Sequence, residues 1–258
     1  MPLRANVSGI GYWSDGLPSW DAALTLLADG HRADDAPRRP SPQLLAANER
    51  RRAPDTVALA LDVALAACTA AGRDPASLPS VFASTHGELA ITDYMGQTLA
   101  EDPRAISPTK FHNSVHNAAA GYWTIGAGCT RPATAISAHD ASFAEGLLEA
   151  LVQLHDGAEA VLLVAYDGAA RGPLAQMTPS TGLLGGALLL TGAGSGPRLR
   201  ATPVDAAAPA PQGPLADAAG GNAMAPMLPL FDALARRGDL ALLHAGPGRS
   251  LRVELAHD

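Results

Sequence analysis

The sequence predicts an α/β fold built around a mixed, mostly buried sheet. Short apolar runs bounded by glycine, proline and polar turn residues are typical of buried strands, and they alternate with segments of helical periodicity. Between residues 132 and 166 a strand, a helix and a strand follow one another, which is the order of a βαβ unit. The chain has 258 residues, a length that allows one large domain or two small ones. Hydrophobic residues make up 47% of it but aromatic residues only 4%, so small side chains are expected to fill the core.

The first third of the chain contains one predicted strand and two predicted helices. The apolar, glycine-containing run Ala5–Tyr12 predicts the strand, and turn residues lead from it into a helix over Ser19–Ala28. The polar segment His31–Pro42 is predicted to be a solvated loop. Asp55–Ala71 is apolar apart from Asp62, which predicts a helix buried nearly all round.

The middle of the chain contains the proposed βαβ unit. Leu78–Thr85 predicts a strand and Glu88–Ala100 a helix. The segment Ser107–Trp123 carries a proline and two asparagines, which predicts a partly irregular backbone. The unit that follows consists of the strand Pro132–Ala138, the helix Ala141–Leu154, whose leucines recur at spacings of three and four, and the strand Ala160–Tyr166.

The last third is predicted to add strands to the same sheet or to cover it. The segment Ala206–Gly221 is rich in alanine, proline and glycine and predicts a loop, and Met224–Arg236 predicts a helix that Gly238 ends. The predicted strands are Ala187–Thr191, Arg198–Val204, Leu240–His244 and Leu251–Leu255.

Composition excludes several classes of function. The formal net charge is −7 and Lys110 is the only lysine, so we expect no nucleic-acid surface. Two cysteines are too few for a disulfide framework, and without a signal peptide we expect a reduced, cytoplasmic protein. The uncharged stretch Gly172–Pro197 has an apolar centre of only 12 residues, which is too short for a membrane span.

Two histidines in the irregular segment are candidate ligands or cleft residues. His112 and His116 are four residues apart and would share one face of a helix, which is the spacing of a metal pair. No third ligand lies nearby, so we expect no metal, and the two side chains are interpreted as hydrogen-bonded loop residues or as the lining of a cleft. The common cofactor motifs are absent, so no cofactor is expected.

Asp140 lies where a predicted strand turns into a predicted helix. The preferred interpretation is an N-cap, since a carboxylate there accepts the unpaired N–H groups of the first helical turn. A nucleophile is the alternative, because many α/β enzymes place one at a strand-to-helix elbow.

The order of these segments resembles the N-terminal half of a β-ketoacyl synthase. The resemblance implies a thiolase-like fold over Val7–Val204, hence a ketosynthase-like domain over residues 1–204. Residues 205–258 would form a C-terminal extension of a loop, a helix and two short strands that packs on the same domain. The matching motifs are Val7–Tyr12, Asn48–Arg52, Thr56–Leu65, Ala71–Pro75, Asn117–Gly121, Arg131–Pro132 and Gly157–Val161 with Asp167.

Departures from the family point to an inactive member. Counting from Pro132, the position of the family's nucleophilic cysteine falls on Asp140. The family's two catalytic histidine motifs do not occur after residue 204, where the only histidines are His244 and His257. Condensation needs a thiolate to hold the acyl chain and histidines to activate the malonyl unit, so we expect no conventional ketosynthase activity.

The segment Ser142–Glu149 resembles a family of short ketosynthase-like proteins. Its members are chain-length-factor-like subunits found with aryl polyene or xanthomonadin-type pigment synthesis. The resemblance implies a non-catalytic subunit that pairs with an active ketosynthase, helps shape its acyl tunnel and works with an acyl carrier protein, with the strand Pro132–Ala138 near the subunit interface. Candidate cleft or interface residues are His139, Asp140, Ser142, Phe143, His112, Asn113, His116 and Asn117.

Two other functions stay open. The chain could be a degenerate acyltransferase or decarboxylase acting on carrier-protein thioesters, with His139, His112 or His116 as the base. It could also be a module that binds carrier protein or acyl-CoA without a partner synthase.

Overall fold

The computed structural model describes residues 2–257, which form one mixed sheet of eight strands between two layers of helices. The predicted α/β class is therefore confirmed. From one edge to the other the sheet runs β3-β2-β4-β5-β1-β6-β8-β7. The strands are β1 (Leu3–Ser14), β2 (Ser80–Ala83), β3 (Ala133–Ile136), β4 (Ala160–Asp167), β5 (Leu184–Thr191), β6 (Arg198–Val204), β7 (Leu240–His244) and β8 (Ser250–Ala256).

Ten α-helices are found among the described residues. In chain order they are α1 (Trp20–Asp29), α2 (Ala47–Arg52), α3 (Asp55–Ala70), α4 (Leu89–Glu101), α5 (Pro108–His112), α6 (Ala118–Ala127), α7 (Ser142–His155), α8 (Leu174–Met177), α9 (Pro214–Ala219) and α10 (Leu228–Arg236). Helices α3 and α6 pack on one face of the sheet, and α1, α7 and α10 pack on the other. None of the helices in residues 2–257 is long and apolar enough to cross a membrane.

Helix α3 lies unusually close to β1 because two glycines leave room for its backbone. A Cβ atom built on Gly9 would lie 2.2 Å from the Ala67 carbonyl oxygen, and one built on Gly11 would lie 2.0 Å from that of Val63. Ten of the sixteen residues of α3 are buried, as the nearly continuous apolar sequence predicts. The glycines of the first strand therefore serve close packing of a helix on a sheet.

The proposed βαβ unit has a different pairing from the one predicted. Strands β3 and β4 are both parallel to β2, which lies between them, so they are not neighbours in the sheet. Helix α7 still connects the two parallel strands and packs beneath them. The sequence order alone could not reveal that an earlier strand occupies the middle position.

The C-terminal residues complete the sheet. Strand β8 pairs with β6 over seven residues, and β7 forms the far edge. Phe231 on α10 lies against Tyr12, Trp20 and Phe143, with ring centroids 5.8, 5.9 and 6.2 Å away. The predicted loop Ala206–Gly221 contains the short helix α9, and the predicted helix at Met224 begins as a 3-10 turn before α10.

Candidate functional site

Polar side chains gather where β2, β3 and β4 end. Because these three strands are parallel, their carboxyl ends lie on the same side of the sheet, at Ala83, Ile136 and Asp167. In α/β sheets this side carries ligand and catalytic sites, since the loops that leave it are free to vary. We call this group of side chains the strand-end cluster; its members are Ser84, Thr85, His86, His139, Asp140, Ser142, Asp167 and Thr178.

Asp167 anchors the strand-end cluster from within the core. Its side chain is fully buried and accepts hydrogen bonds from the Ser84 hydroxyl at 2.7 Å and from the backbone N–H groups of Thr85 and His86 at 2.9 and 3.2 Å. Burial raises the pKa of this carboxyl, and the three donors partly offset the effect. Asp167 therefore fixes the turn after β2 and does not reach solvent.

His86 is held in place by that turn. Its Nε2 lies 2.6 Å from the Thr178 hydroxyl, and its ring meets the His139 ring edge-on at a centroid distance of 6.4 Å. Burial lowers the pKa of His86, against the opposing effect of the nearby Asp167 carboxylate, and favours the neutral imidazole.

The turn from β3 into α7 is closed by Ser142. Its hydroxyl accepts a hydrogen bond from the backbone N–H of Ala138 at 2.9 Å and donates one to the His139 carbonyl at 2.6 Å. The N-cap prediction for Asp140 is wrong, because the helix begins at Ser142 and its N-cap, Ala141, has no side-chain capping bond. The bend is taken up one residue earlier, where His139 adopts a positive φ of 53°.

His139 and Asp140 form an exposed pair at this elbow. The His139 Nδ1 lies 3.0 Å from the Asp140 carboxylate, and the two side chains are 76% and 61% exposed. The contact orients the imidazole so that its Nε2 points away from Asp140. His139, with its positive φ, therefore presents an exposed imidazole at the elbow.

The histidines of the irregular segment are on different elements and have different partners. His112 ends α5 and lies edge-on to Tyr122, while the His116 Nε2 contacts the Ser84 carbonyl oxygen at 2.8 Å. His112 and Asn117 line a cavity of about 420 Å³ beside α6. Within residues 2–257 no group of three or more histidines, cysteines or acidic residues could hold a metal ion.

Two of the candidate residues are buried in the interior. The Phe143 side chain is 1% exposed and packs against Phe231, and Asn113 is 3% exposed. Both residues therefore contribute to packing.

Neither cysteine is available for chemistry at the strand-end cluster. Cys68 is buried in α3, and burial raises the pKa of its thiol to about 12. Cys129 is also buried, after α6, and its thiol donates to the Leu78 carbonyl at 3.4 Å. No thiolate therefore faces the elbow.

Five members of the strand-end cluster were not among the predicted site residues: Ser84, Thr85, His86, Asp167 and Thr178. Ser84 and Thr85 end the predicted strand Leu78–Thr85 and His86 follows it directly, and that position was the available signal. Thr178 lies more than ninety residues from His86 in the chain, and no local pattern points to it.

Comparison with known proteins places the chain in a family. The model described as β-ketoacyl synthase, N-terminal domain, matches residues 25–242. No curated protein sequence matches the chain. A structure of the ketosynthase ApeO in complex with its chain length factor ApeC from Xenorhabdus doucetiae is similar over 98% of this chain and 99% of the matched chain, with 25% identity and a TM-score of 0.76.

Two other solved structures share the fold. The ishigamide ketosynthase/chain length factor matches over 98% of this chain and 99% of that one, with 15% identity and a TM-score of 0.74. A β-ketoacyl synthase from Burkholderia phymatum STM815 matches over 92% of this chain but 71% of its own length, with 13% identity and a TM-score of 0.59. These likenesses confirm the thiolase-like ketosynthase fold. Since the family model spans 218 of the 258 residues, the protein belongs to the β-ketoacyl synthase N-terminal domain family.

Proposed function

We propose that the chain is a non-catalytic, chain-length-factor-like subunit that pairs with an active β-ketoacyl synthase. The observation that carries the proposal is the likeness over nearly the full length of both chains to a structure of a ketosynthase with its chain length factor. The matched chain is about as long as this one, whereas the Burkholderia synthase extends well beyond the match.

The chemistry of the strand-end cluster supports a role without condensation. The elbow carries His139 and Asp140 in place of a cysteine, and both cysteines of the chain are buried elsewhere. Without a thiolate no thioester-linked acyl-enzyme forms at this position. The active partner would supply the nucleophile, and this chain would help to shape the tunnel for the growing acyl chain.

An open sheet edge supports association through β3. The N–H groups of Ser80 and Ser84 donate to the carbonyls of Pro132 and Ile136 at 3.0 and 3.1 Å, so alternate residues of the strand face β2. The intervening Ala133 and Ala135 direct their N–H and C=O groups away from the sheet. An uncovered edge is a ready site for pairing with another chain.

Apolar side chains surround this edge and would be buried by a partner. On the α6 side Ile125 is 81% exposed, and on the α7 side Val152 is 48% exposed. Ile136 of β3 and Val152 line a cavity of about 520 Å³, and Ile125 lines one of about 420 Å³ beside α6. We call β3 with Ile125 and Val152 the β3 surface, and we propose it as the ketosynthase interface.

The proposal extends to the setting of the complex. An acyl carrier protein would deliver the chain in polyene or fatty-acid-type synthesis in the cytoplasm, as in pigment pathways of the aryl polyene type. The net charge of −7 supports no nucleic-acid partner.

Co-expression with the candidate ketosynthases, followed by size-exclusion chromatography, tests the pairing. We expect a one-to-one complex that Ile125→Arg weakens at least tenfold, because the charge would be buried against apolar surface. Leu240→Arg, on the opposite edge and 43% exposed, is the matched control and should leave the complex intact. Failure to associate with every candidate, or equal loss in both variants, would contradict the proposal.

The exposed His139–Asp140 pair favours a second candidate function. Its geometry suits a general base acting on a carrier-protein thioester, as in an acyltransferase or decarboxylase. Turnover of malonyl or acyl carrier protein by the purified chain, lost in His139→Ala but retained in His155→Ala on the far end of α7, would favour it. Absence of turnover in the wild-type chain would exclude it.

A further inference from the structure

The sheet has a second open edge, at β7. The Leu255 N–H donates to the Asp239 carbonyl at 2.8 Å, and the Ala245 N–H donates to the Arg249 carbonyl at 3.2 Å. In an antiparallel pair alternate residues face the neighbouring strand, so Ala241 and Leu243 bond to β8. The N–H and C=O groups of Leu240, Leu242 and His244 therefore point away from the sheet.

A groove runs along this edge. Strand β7 forms one wall, and α10 with residues 209–213 forms the other, around a cavity of about 610 Å³. The apolar parts of the lining come from Pro209, Pro229, Ala233 and Leu242. The groove thus combines unpaired backbone groups with an apolar surface, the two features that strand addition uses.

An unpaired carboxylate lines the same groove. The Asp232 side chain is 9% exposed, and neither of its oxygens makes a hydrogen bond of good geometry among the described residues; the backbone N–H of Leu215 lies close enough only to oppose the rise in its pKa. The Arg236 Nε lies 4.0 Å away, beyond hydrogen-bond range, and the nearby Asp217 adds a second negative charge. A buried carboxylate without a donor is rare in proteins, because desolvation costs free energy that only a hydrogen bond or a cation recovers.

We propose that this groove binds an extended peptide segment of another protein, which adds a strand to β7 and places a lysine or arginine on Asp232. The two unmet requirements of the groove point to this occupant: the edge needs backbone donors and acceptors, and the carboxylate needs a cation. An anionic nucleic acid or membrane surface would meet neither requirement, since it would place negative charge against the Asp232 carboxylate and would offer no backbone groups to the strand edge. The groove lies on the opposite edge of the sheet from the β3 surface, so a ketosynthase bound at β3 would leave it open.

Hydrogen exchange in the full chain tests strand addition with internal controls. The probe is a blocked seven-residue peptide of alternating threonine and valine with a central lysine, compared with the same peptide carrying central glutamine. We expect the lysine peptide to slow exchange of the Leu240 and Leu242 amides at least tenfold. The Ala241 and Leu243 amides, already bonded to β8, should change little.

The charge contribution is measured separately by titration. We expect the lysine peptide to bind about tenfold more tightly than the glutamine peptide, and Asp232→Asn to remove this difference without weakening the glutamine peptide. A lysine peptide whose backbone nitrogens facing β7 are methylated should not bind. Because this control changes the peptide and not the protein, it leaves folding undisturbed. Equal binding of the two peptides would overturn the proposal. So would slowed exchange elsewhere in the chain. Binding of butylamine to Asp232, with no slowing of Leu240 and Leu242 exchange by the peptide, would also overturn it. Asp232→Asn should leave ketosynthase association unchanged, so the two proposals fail independently.

Discussion

One hydroxyl group holds the turn that carries His139. Ser142 is 1% exposed and bonds to both Ala138 and His139, whereas Asp140 is exposed and contacts only the imidazole beside it. Removing the hydroxyl leaves the partly buried N–H of Ala138 without its acceptor, and such a loss costs about 1–3 kcal/mol. An exposed ion pair contributes about 0–1 kcal/mol.

We therefore expect Ser142→Ala to lower the free energy of unfolding by about 1–3 kcal/mol and Asp140→Ala to lower it by less than about 1 kcal/mol. Urea unfolding monitored by circular dichroism measures both. The reverse order of the two variants would restore the N-cap role for Asp140.

Asp232 should make stability depend on pH. Burial raises the pKa of its carboxyl from 3.8 to about 6, with the Arg236 charge opposing the effect. The folded chain therefore binds this proton more tightly than the unfolded chain, so stability falls as pH rises from about 4 to about 6. The full pKa difference corresponds to a change of about 3 kcal/mol in the free energy of unfolding, which solvent screening at the open groove reduces to about 1–2 kcal/mol.

Asp232→Asn should raise the free energy of unfolding at pH 7.5 by about 1–2 kcal/mol and flatten the pH dependence between pH 4 and 6. Urea titrations of both proteins across this range provide the measurement. A destabilised variant at pH 7.5 would show that the carboxylate has a favourable partner within the chain.

Among the elements, the contact of α3 with β1 leaves the least room for change. A Cβ at Gly11 would overlap the backbone of Val63, and backbone atoms of a buried helix have no freedom to move aside. Gly96 on the exposed side of α4 has no atom within 4 Å of its Cβ position and provides a matched control.

Gly11→Ala should lower the free energy of unfolding by more than about 2 kcal/mol, because overpacking displaces the helix. Gly96→Ala should raise it by about 0.5–1 kcal/mol through better helix propensity. Thermal unfolding followed by calorimetry distinguishes the two signs. A neutral Gly11→Ala would mean that α3 moves away from the sheet at little cost.

At the scale of the whole molecule, the C-terminal residues complete the core and the sheet. Phe231 packs against side chains of β1, α1 and α7, and β8 covers the edge of β6. We propose that residues 205–258 are an extension of the ketosynthase-like domain and not a separate unit.

A chain ending at Val204 should lose cooperative unfolding, because it exposes the apolar surface that Phe231 and β8 cover. The heat absorbed on unfolding and the protection of core amides from exchange measure this loss. If the shortened chain kept a sharp transition near that of the full chain, residues 1–204 would instead form an independent domain.

The sequence by itself determined the class of fold, the family and most of the elements. All eight predicted strands are present, and the ends of β6 and β7 agree with prediction to the residue. Such segments are recognisable because burial and turn chemistry act locally, through residues close in the chain. The resemblance to the β-ketoacyl synthase N-terminal domain is confirmed by the family match.

Only the tertiary structure decided which segments meet. It placed β2 between β3 and β4, and it brought His86 into contact with His139 and Thr178. It also gave His112 and His116 different partners, and it placed Ser142 and His139 at the turn from β3 into α7. It also left β3 and β7 as the two open edges of the sheet. The physical reason is that strand order and side-chain partners depend on contacts between residues far apart in the chain, which no local pattern encodes.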